Sequence, residues 1–232
     1  MPITTVGLDA DDTLWHNETI FRLTQDRFLD LLTDHDTEAV QARLAEVERR
    51  NLRLYGYGVK GFTLSMIETA MEMCDGEPPA GAIREILAAG REMLAHPVET
   101  LPGVDEALAR LSERYRLVLV TKGDLLDQER KLAASGLGEL FAAVEIVSEK
   151  DRTTYDRVFA RHGTGAAEAV MAGNSMKSDV LPALEAGAFA VHIPYAITWA
   201  HELADAPDDH PRYGALDRIA DLPDWIDRRS DG

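Results

Sequence analysis

Residues 3–13, ITTVGLDADDT, place an acidic cluster directly behind a short apolar run. A run of this kind, rich in β-branched and apolar residues, is typical of a strand that is buried on both faces of a parallel sheet. Acidic clusters usually lie on solvated surfaces. Asp9, Asp11 and Asp12 therefore form either an acidic turn or a site that needs carboxylates close together, and the rest of the chain distinguishes the two.

Four further apolar runs predict strands of the same kind. They are RLVLVTKG at 116–123, AAVEIVSEK at 142–150, AVMAGNS at 169–175 and FAVHIPY at 189–195. Helical segments separate them, and the first of these, GVDEALARLSERY at 103–115, carries its apolar residues on one stripe. Strands and helices that alternate in this way predict an α/β domain with a doubly wound parallel sheet.

Residues 16–97 interrupt this alternation, because they contain helical patterns and no convincing strand. The helical blocks are 17–33, 37–56, 61–74 and 80–95. Pro97 and the Leu-Pro-Gly sequence at 101–103 mark the return to the sheet. We therefore expect an α/β core made of residues 1–15 and 98–232, with an all-helical cap of residues 16–97 inserted after the first strand.

The composition excludes several classes of protein. A formal net charge of -17 argues against binding to nucleic acid or to an anionic membrane, since both need basic patches. The single cysteine, Cys74, leaves no partner for an intramolecular disulfide and excludes a cysteine-rich zinc site. The first twelve residues show no secretory signal, and no apolar run approaches the roughly 18 residues of a transmembrane helix, so we expect a cytoplasmic protein.

Candidate functional groups gather at the carboxyl ends of the strands, where open parallel sheets bind their ligands. They are Asp9, Asp11 and Thr13 after the first strand, Thr121, Lys122 and Gly123 after the second, Ser148, Glu149 and Lys150 after the third, and Asn174, Ser175 and Asp179 after the fourth. Carboxylates, hydroxyls, ammonium groups and an amide oxygen together predict a site for Mg²⁺ and a phosphate. Three of the five lysines in the chain, Lys122, Lys150 and Lys177, lie at or just beyond these ends.

Asp9 and Asp11 are two positions apart, so their side chains point the same way in an extended segment. Two carboxylates this close repel each other unless a cation neutralises them. With a divalent metal present, one can act as a nucleophile and the other as a proton donor and acceptor. Asp12 should point away, so we expect it to have a structural role.

These residues resemble the motifs of the haloacid dehalogenase-like hydrolase superfamily. DADDT at 9–13 is similar to its DxDxT signature, Thr121 to the Ser or Thr that ends its second strand, Lys150 to its motif lysine, and GNSMKSD at 173–179 to its GDxxxxD motif. The motifs occur in the family's order, and residues 16–97 match the cap that many members carry. The resemblance implies a Rossmann-like core and the chemistry of that family.

The resemblance implies a role for each residue that matches a motif. Asp9 would attack phosphorus and form an aspartyl-phosphate, while Asp11 would protonate the leaving group and then activate water. Lys150 would offset the negative charge of Asp9 and the phosphate. The phosphoryl oxygens would be held by Thr121 and the neighbouring positions Lys122 and Gly123.

The same resemblance implies that Mg²⁺ would be bound by Asp9, the main-chain carbonyl of Asp11 and the loop of the fourth motif. Asn174 stands where the family usually has an aspartate. An amide oxygen can coordinate Mg²⁺ but brings no charge, so Asp179 could take a larger share of metal binding, directly or through water. The sequence leaves open which of the two is the direct ligand.

The function that we expect is a Mg²⁺-dependent phosphatase acting on a small phosphorylated metabolite, such as a nucleotide or a sugar phosphate. The resemblance implies that dehalogenase members lack an acid two residues after the nucleophile, so Asp11 favours a phosphatase. A 2-haloacid dehalogenase is one alternative. A non-catalytic binding or regulatory protein, suggested by Asn174, is the other. The sequence does not indicate an oligomeric state.

Three weaker patterns have simpler interpretations. GYGVKG at 56–61 matches G-x-G-x-x-G, but it follows a helical pattern instead of a strand, so it predicts a turn between cap helices. The alternative is a loop of the cap in which Lys60 contacts the substrate. We expect DAPDDH at 205–210 to be a solvated acidic loop, and Trp199 and His201 to be packing residues.

Overall fold

The computed structural model describes residues 2–199, 202–207 and 209–230. The chain forms two compact units. The first, called the α/β unit, comprises Met1–Glu18, Val98–Lys122 and Gln128–Gly232. The second, called the helical unit, comprises Thr19–Pro97 and Gly123–Asp127.

The α/β unit contains one six-stranded sheet, in which every neighbouring pair is parallel. The strands are β1 (Thr5–Leu8), β2 (Arg116–Lys122), β3 (Ala143–Val147), β4 (Ala169–Gly173), β5 (Phe189–His192) and β6 (Tyr213–Ala215). Their order in the sheet is β3-β2-β1-β4-β5-β6. The chain moves outward from β1 to β3 and then returns to the other side of β1, so the order reverses beside β1, where such sheets form their binding crevice.

The described part of the chain contains nine α-helices. They are α1 (Glu18–Asp30), α2 (Thr37–Tyr55), α3 (Val59–Met73), α4 (Ala82–Ala95), α5 (Val104–Ser112), α6 (Leu125–Ser135), α7 (Arg152–His162), α8 (Leu181–Glu185) and α9 (Leu222–Ser230). Among these described helices, none combines the length and the apolar character that crossing a bilayer requires.

The sheet is buried on both faces, as the apolar runs predict. Leu8 of β1 lies in one hydrophobic core with Leu108 of α5 and Trp225 of α9. Val118 of β2 lies in a second core with Phe159 of α7. Helices therefore cover both faces of a parallel sheet, and the predicted fold class is confirmed.

The five predicted strands all form, whereas the last strand and the last helix were not predicted. β6 is only three residues long and contains Gly214, so it carries no periodic signal. The sequence around β6 predicts a loop, and the strand forms only because it pairs with β5. α9 follows a short helical turn at Ile219–Asp221 and buries Trp225 and Ile226 against the sheet.

The helical unit has its own hydrophobic core. Phe28, Leu44, Met66 and Ile86 lie in it, and they come from α1, α2, α3 and α4 in turn. These four helices are where the sequence pattern predicts them, with ends that differ by a few residues. Burial of one apolar face by each helix is what stabilises such a unit.

The GYGVKG stretch forms a turn only in part. Gly56 and Gly58 have positive φ angles of 72° and 107°, a conformation that favours glycine, and they separate α2 from α3. α3 already begins at Val59, so Lys60 lies in its first turn. The ammonium of Lys60 donates to both carboxylate oxygens of Asp124 at 2.9 Å, within the helical unit.

The packing of α9 on the sheet depends on a glycine in the edge strand. A Cβ atom at Gly214 would lie 2.5 Å from the indole of Trp225, far inside van der Waals contact. Trp225 has little freedom to move, because Arg229 stacks on its ring at 3.6 Å and Phe189 packs edge-on at 6.3 Å.

We expect Gly214→Ala to lower the free energy of unfolding by about 1–3 kcal/mol, the usual effect of overpacking a fixed site. Urea denaturation followed by circular dichroism measures it. Gly138→Ala is the matched control, since its Cβ would have no neighbour closer than 4.0 Å. Equal stability of the two variants would contradict this account of the edge strand.

Candidate active site

The site is built on the end of β1, between the ends of β2 and β4. Leu8 pairs with Leu119 on one side and with Ala172 on the other, and the amide of Asp9 continues the second ladder by donating to the carbonyl of Ala172 at 3.0 Å. β3 pairs with β2 on the outer side, so side chains at the ends of all four strands converge. We call them the strand-end cluster, and its members are Asp9, Asp11, Thr13, Thr121, Lys150, Asn174 and Asp179.

Lys150 is the central cation of this cluster. Its ammonium donates to Oδ1 of Asp9 and, at 2.7 Å, to Oδ1 of Asp179. The second oxygen of Asp179 accepts from the amide of Ser175 at 2.9 Å, and the second oxygen of Asp9 accepts from the hydroxyl of Thr13 at 3.1 Å. The lysine and both aspartates are buried, so their charges interact without screening by water.

One ammonium between two carboxylates leaves a negative charge uncompensated. Burial alone lowers the pKa of Lys150, but Asp179 and Asp9 together raise it above its usual range. Burial and the carboxylate of Asp179 raise the pKa of Asp9 to about 7, although Lys150 acts in the opposite direction. A further positive charge at Asp9 would relieve this imbalance.

Three polar atoms, one of them Oδ2 of Asp9, converge in the way that cation ligands do. One atom of the Asn174 side-chain amide lies 3.1 Å from Oδ2 of Asp9 and 3.2 Å from the main-chain oxygen of Asp11. With the amide oxygen in that position, three oxygens face one another. Adjacent ligands of an octahedral Mg²⁺ ion are about 2.9 Å apart, so both separations from the Asn174 atom are of the size that this ion requires.

With the amide reversed, its NH₂ group would instead donate hydrogen bonds to the same two oxygens. No group of three His, Cys, Asp or Glu side chains among the described residues is arranged to hold a metal. A cation at this position would therefore depend on the amide and main-chain oxygens.

Asp11 is held by residues that the sequence analysis did not identify. Its Oδ1 accepts from the indole of Trp15 at 2.8 Å and from the ammonium of Lys131 at 2.9 Å. Its Oδ2 accepts from the side-chain amide of Gln128 at 3.0 Å. The scarcity of lysine was a signal for Lys131, but the residue lies inside a helix, whereas ligands of open parallel sheets are expected at the strand ends.

Thr121 and Lys122 end β2 as predicted, but their polar groups differ in their partners. The described partner of the Thr121 hydroxyl is a neutral amide, whereas the Lys122 ammonium is paired with a carboxylate. The hydroxyl of Thr121 accepts from Gln128 at 2.8 Å and is buried. The ammonium of Lys122 donates to Oε1 of Glu202 at 2.7 Å and to the hydroxyl of Ser178 at 2.9 Å. Glu202 could not be predicted from the sequence, because it lies in a loop beyond β5.

Asp12 has the structural surroundings that we expected. Its carboxylate accepts from the main-chain amides of Asn17 and Glu18 at 2.9 Å, where α1 begins. Burial raises its pKa to about 7 against these hydrogen bonds. Its φ of 62° turns the chain away from the direction of β1.

The remaining predicted residues are not members of the strand-end cluster. Gly123 and Lys60 belong to the helical unit, and Trp199 is half-buried. In the acidic loop, the His210 imidazole accepts from the main-chain amide of Arg212 at 3.2 Å. Asp208 and His201 lie outside the described residues.

Comparison with known proteins identifies the family. The family model described as haloacid dehalogenase-like hydrolase matches residues 3–187. A solved structure of a haloacid dehalogenase-like family hydrolase from Xanthomonas campestris has 41% sequence identity and a TM-score of 0.88, with 99% of this chain and 94% of that chain covered. Among proteins with curated descriptions, none matches this chain.

Two distant structures share the fold. The YfnB protein from Bacillus subtilis, bound to magnesium, has 16% identity and a TM-score of 0.68, over 97% of this chain and 99% of that one. L-2-haloacid dehalogenase from Xanthobacter autotrophicus, with chloropropionic acid covalently bound, has 15% identity and a TM-score of 0.66, over 97% and 98%. On the family model and the similar Xanthomonas structure, this chain belongs to the haloacid dehalogenase-like hydrolases.

Proposed function

We propose that this hydrolase is a Mg²⁺-dependent phosphatase of small phosphorylated metabolites. The observation that carries the proposal is the pair of carboxylates at the end of β1, Asp9 and Asp11, with Lys150 beside the first and Thr121 linked through Gln128 to the second. A phosphoryl group needs a nucleophile, an acid and compensating positive charge, and catalysis depends mainly on their placement.

The reaction divides into two steps. Oδ of Asp9 attacks phosphorus, the bond between phosphorus and the leaving oxygen breaks, and Asp11 gives that oxygen a proton. Asp11 then takes a proton from water, the resulting hydroxide attacks the phosphorus of the aspartyl-phosphate, and Asp9 and inorganic phosphate are released. Lys150 keeps Asp9 in place and Thr121 donates to a phosphoryl oxygen.

Asp9, the main-chain oxygen of Asp11 and Asn174 are the groups that would hold Mg²⁺. Asp179 fits less well, because its two oxygens already accept from Lys150 and from the amide of Ser175. Its role is then to position Lys150. When bound, the ion supplies positive charge that offsets the charge of the phosphoryl oxygens.

A carbon–halogen hydrolase is the second candidate, because the Xanthobacter dehalogenase has the same fold. Halide is a stable anion that leaves without a proton, so such a reaction has no use for an acid at Asp11. Assays of chloride release from 2-chloropropionate and of phosphate release from p-nitrophenyl phosphate separate the two.

The ion pair of Glu202 determines whether Lys122 can contribute to phosphate binding. Glu202 accepts from Lys122 and from the hydroxyls of Ser175 and Ser178. Burial alone raises the pKa of Glu202, but these partners, Lys122 first, lower it to about 2. The Lys122 ammonium is therefore paired with a carboxylate in this structure. To contact substrate as predicted, it must either leave Glu202 or bind Glu202 and the phosphate together.

The first prediction from the proposed function concerns the nucleophile. We expect Asp9→Asn to lower phosphate release by at least about a thousandfold, because an amide oxygen does not form the aspartyl-phosphate. A panel of phosphorylated metabolites, assayed with Mg²⁺ and with EDTA, measures this.

The control is Asp105→Asn, the same change at an exposed position. Near-normal turnover by Asp9→Asn would refute the nucleophile. Absence of turnover by the wild type across the panel would favour the non-catalytic alternative.

The second prediction concerns Asn174. We expect Asn174→Asp to bind Mg²⁺ about tenfold more tightly, because it adds a charged ligand. The metal-free variant should also melt at a lower temperature than the wild type, since a further carboxylate would face Asp9 without a cation. Calorimetric titration and thermal melting without substrate test both effects, and unchanged affinity would exclude Asn174 as a ligand.

The third prediction concerns Glu202. A carboxylate whose pKa is about 2 in the fold and about 4.5 when unfolded stabilises the fold above pH 4.5, and this stabilisation is lost as the pH falls toward 2. Glu202→Gln should therefore be less stable than the wild type by about 2–3 kcal/mol at pH 7. The difference should shrink between pH 5 and pH 3.

Urea denaturation across this range tests the expectation. Glu139→Gln is the control, because Glu139 is exposed. A difference that stays constant with pH would mean that the ionised carboxylate is not what stabilises this region.

A further inference from the structure

The carboxylate of Asp11 is fixed from two directions. Trp15, four residues further along the chain, and Lys131 of α6 share Oδ1, whereas Gln128 of α6 occupies Oδ2. Gln128 and Lys131 are three positions apart and so lie on the same face of the helix. α6 thus presents an amide and an ammonium to one carboxylate, more than 115 residues away in sequence.

Lys131 is itself held in place. Its ammonium donates to the side-chain oxygen of Asn17 at 2.7 Å as well as to Asp11, and its side chain is only 15% exposed. The lysine therefore cannot move away from Asp11 without losing two hydrogen bonds. An exposed surface ion pair has no such constraint and contributes little.

Gln128 connects Asp11 to the phosphate end of the site. Its Nε2 lies within hydrogen-bond distance of Oδ2 of Asp11, of the Thr121 hydroxyl at 2.8 Å and of the main-chain oxygen of Lys122 at 2.7 Å, and these three acceptors share its two hydrogens. The side chain is 98% buried, since its exposed fraction is 2%, and its Oε1 has no hydrogen-bond partner in the described structure. An unpaired buried oxygen costs free energy, so stability alone does not account for glutamine here.

We propose that Lys131 and Gln128 are positioning residues for the acid–base chemistry of Asp11. This rests on the proposed phosphatase function. Proton transfer requires the carboxyl oxygen to lie within hydrogen-bond reach of the leaving oxygen, and a free aspartate side chain samples several rotamers. Donors on both oxygens restrict Asp11 to one orientation, and the shared Gln128 amide sets that orientation relative to the Thr121 hydroxyl.

The leaving group provides the test. Phenyl phosphate and p-nitrophenyl phosphate have almost the same shape, but p-nitrophenolate is a much weaker base and needs less help from an acid. We measure kcat/KM for both with the full chain and Mg²⁺, and take the ratio of p-nitrophenyl phosphate to phenyl phosphate. For Lys131→Met and for Gln128→Leu we expect this ratio to rise about tenfold relative to the wild type. For Asp11→Asn, which removes the acid itself, we expect a larger rise.

Three controls separate positioning from a structural role. Lys131→Arg should keep the ratio close to its wild-type value, because the positive charge remains. Arg130→Met, which removes an exposed cation from the same helix, should leave the ratio unchanged. In an Asp11→Asn background, Lys131→Met should not raise the ratio further, because the lysine acts through Asp11. If Lys131→Met does not fold, Lys131→Gln replaces it with the same expectation.

Equal losses for both substrates in Lys131→Met and Gln128→Leu would overturn the inference while leaving the phosphatase proposal intact. A further rise of the ratio in the Asp11→Asn background would overturn it as well. If the wild type releases phosphate from neither ester nor from any metabolite of the panel, the phosphatase proposal fails, and the inference fails with it.

Discussion

The contact of the Lys150 ammonium with Asp9 and Asp179 is the constraint around which the site is organised. It joins the ends of β1, β3 and β4, and all three side chains are buried. Because two carboxylates share one cation, the site is left short of positive charge. The Asn174 side-chain amide and the main-chain oxygen of Asp11 lie beside Asp9. With the amide oxygen turned toward Asp9, these groups would let a divalent ion supply the missing positive charge.

The sheet makes this contact geometrically possible. Parallel pairing in register places the ends of β1, β2 and β4 side by side, and the reversal of strand order leaves space beside β1. Gly173 also contributes, because a Cβ at that position would lie 2.4 Å from the carboxyl carbon of Asp179. The glycine lets Asp179 cross the end of β4 toward Lys150.

Much of the fold could be predicted from the sequence, because buried parallel strands leave continuous apolar runs and their connecting helices leave amphipathic ones. β6 could not, because three residues at a sheet edge carry no pattern and their pairing depends on β5. The same division applies to the site. Asp9 and Lys150 follow strands and Thr121 ends one, so their positions could be predicted, whereas Glu202 is brought in by a loop whose path no periodicity describes.

By itself, the sequence determined the family, the parallel α/β core and the strand ends at which chemistry is expected, because motif spacing and hydrophobic runs are local properties. The tertiary structure decided which charged groups meet. The sequence singled out Lys122, Lys150 and Lys177 and did not indicate Lys131, which contacts Asp11 because α6 packs one face toward the end of β1. Contacts between residues more than a hundred positions apart depend on how helices dock on the sheet, and no local pattern in the chain records that.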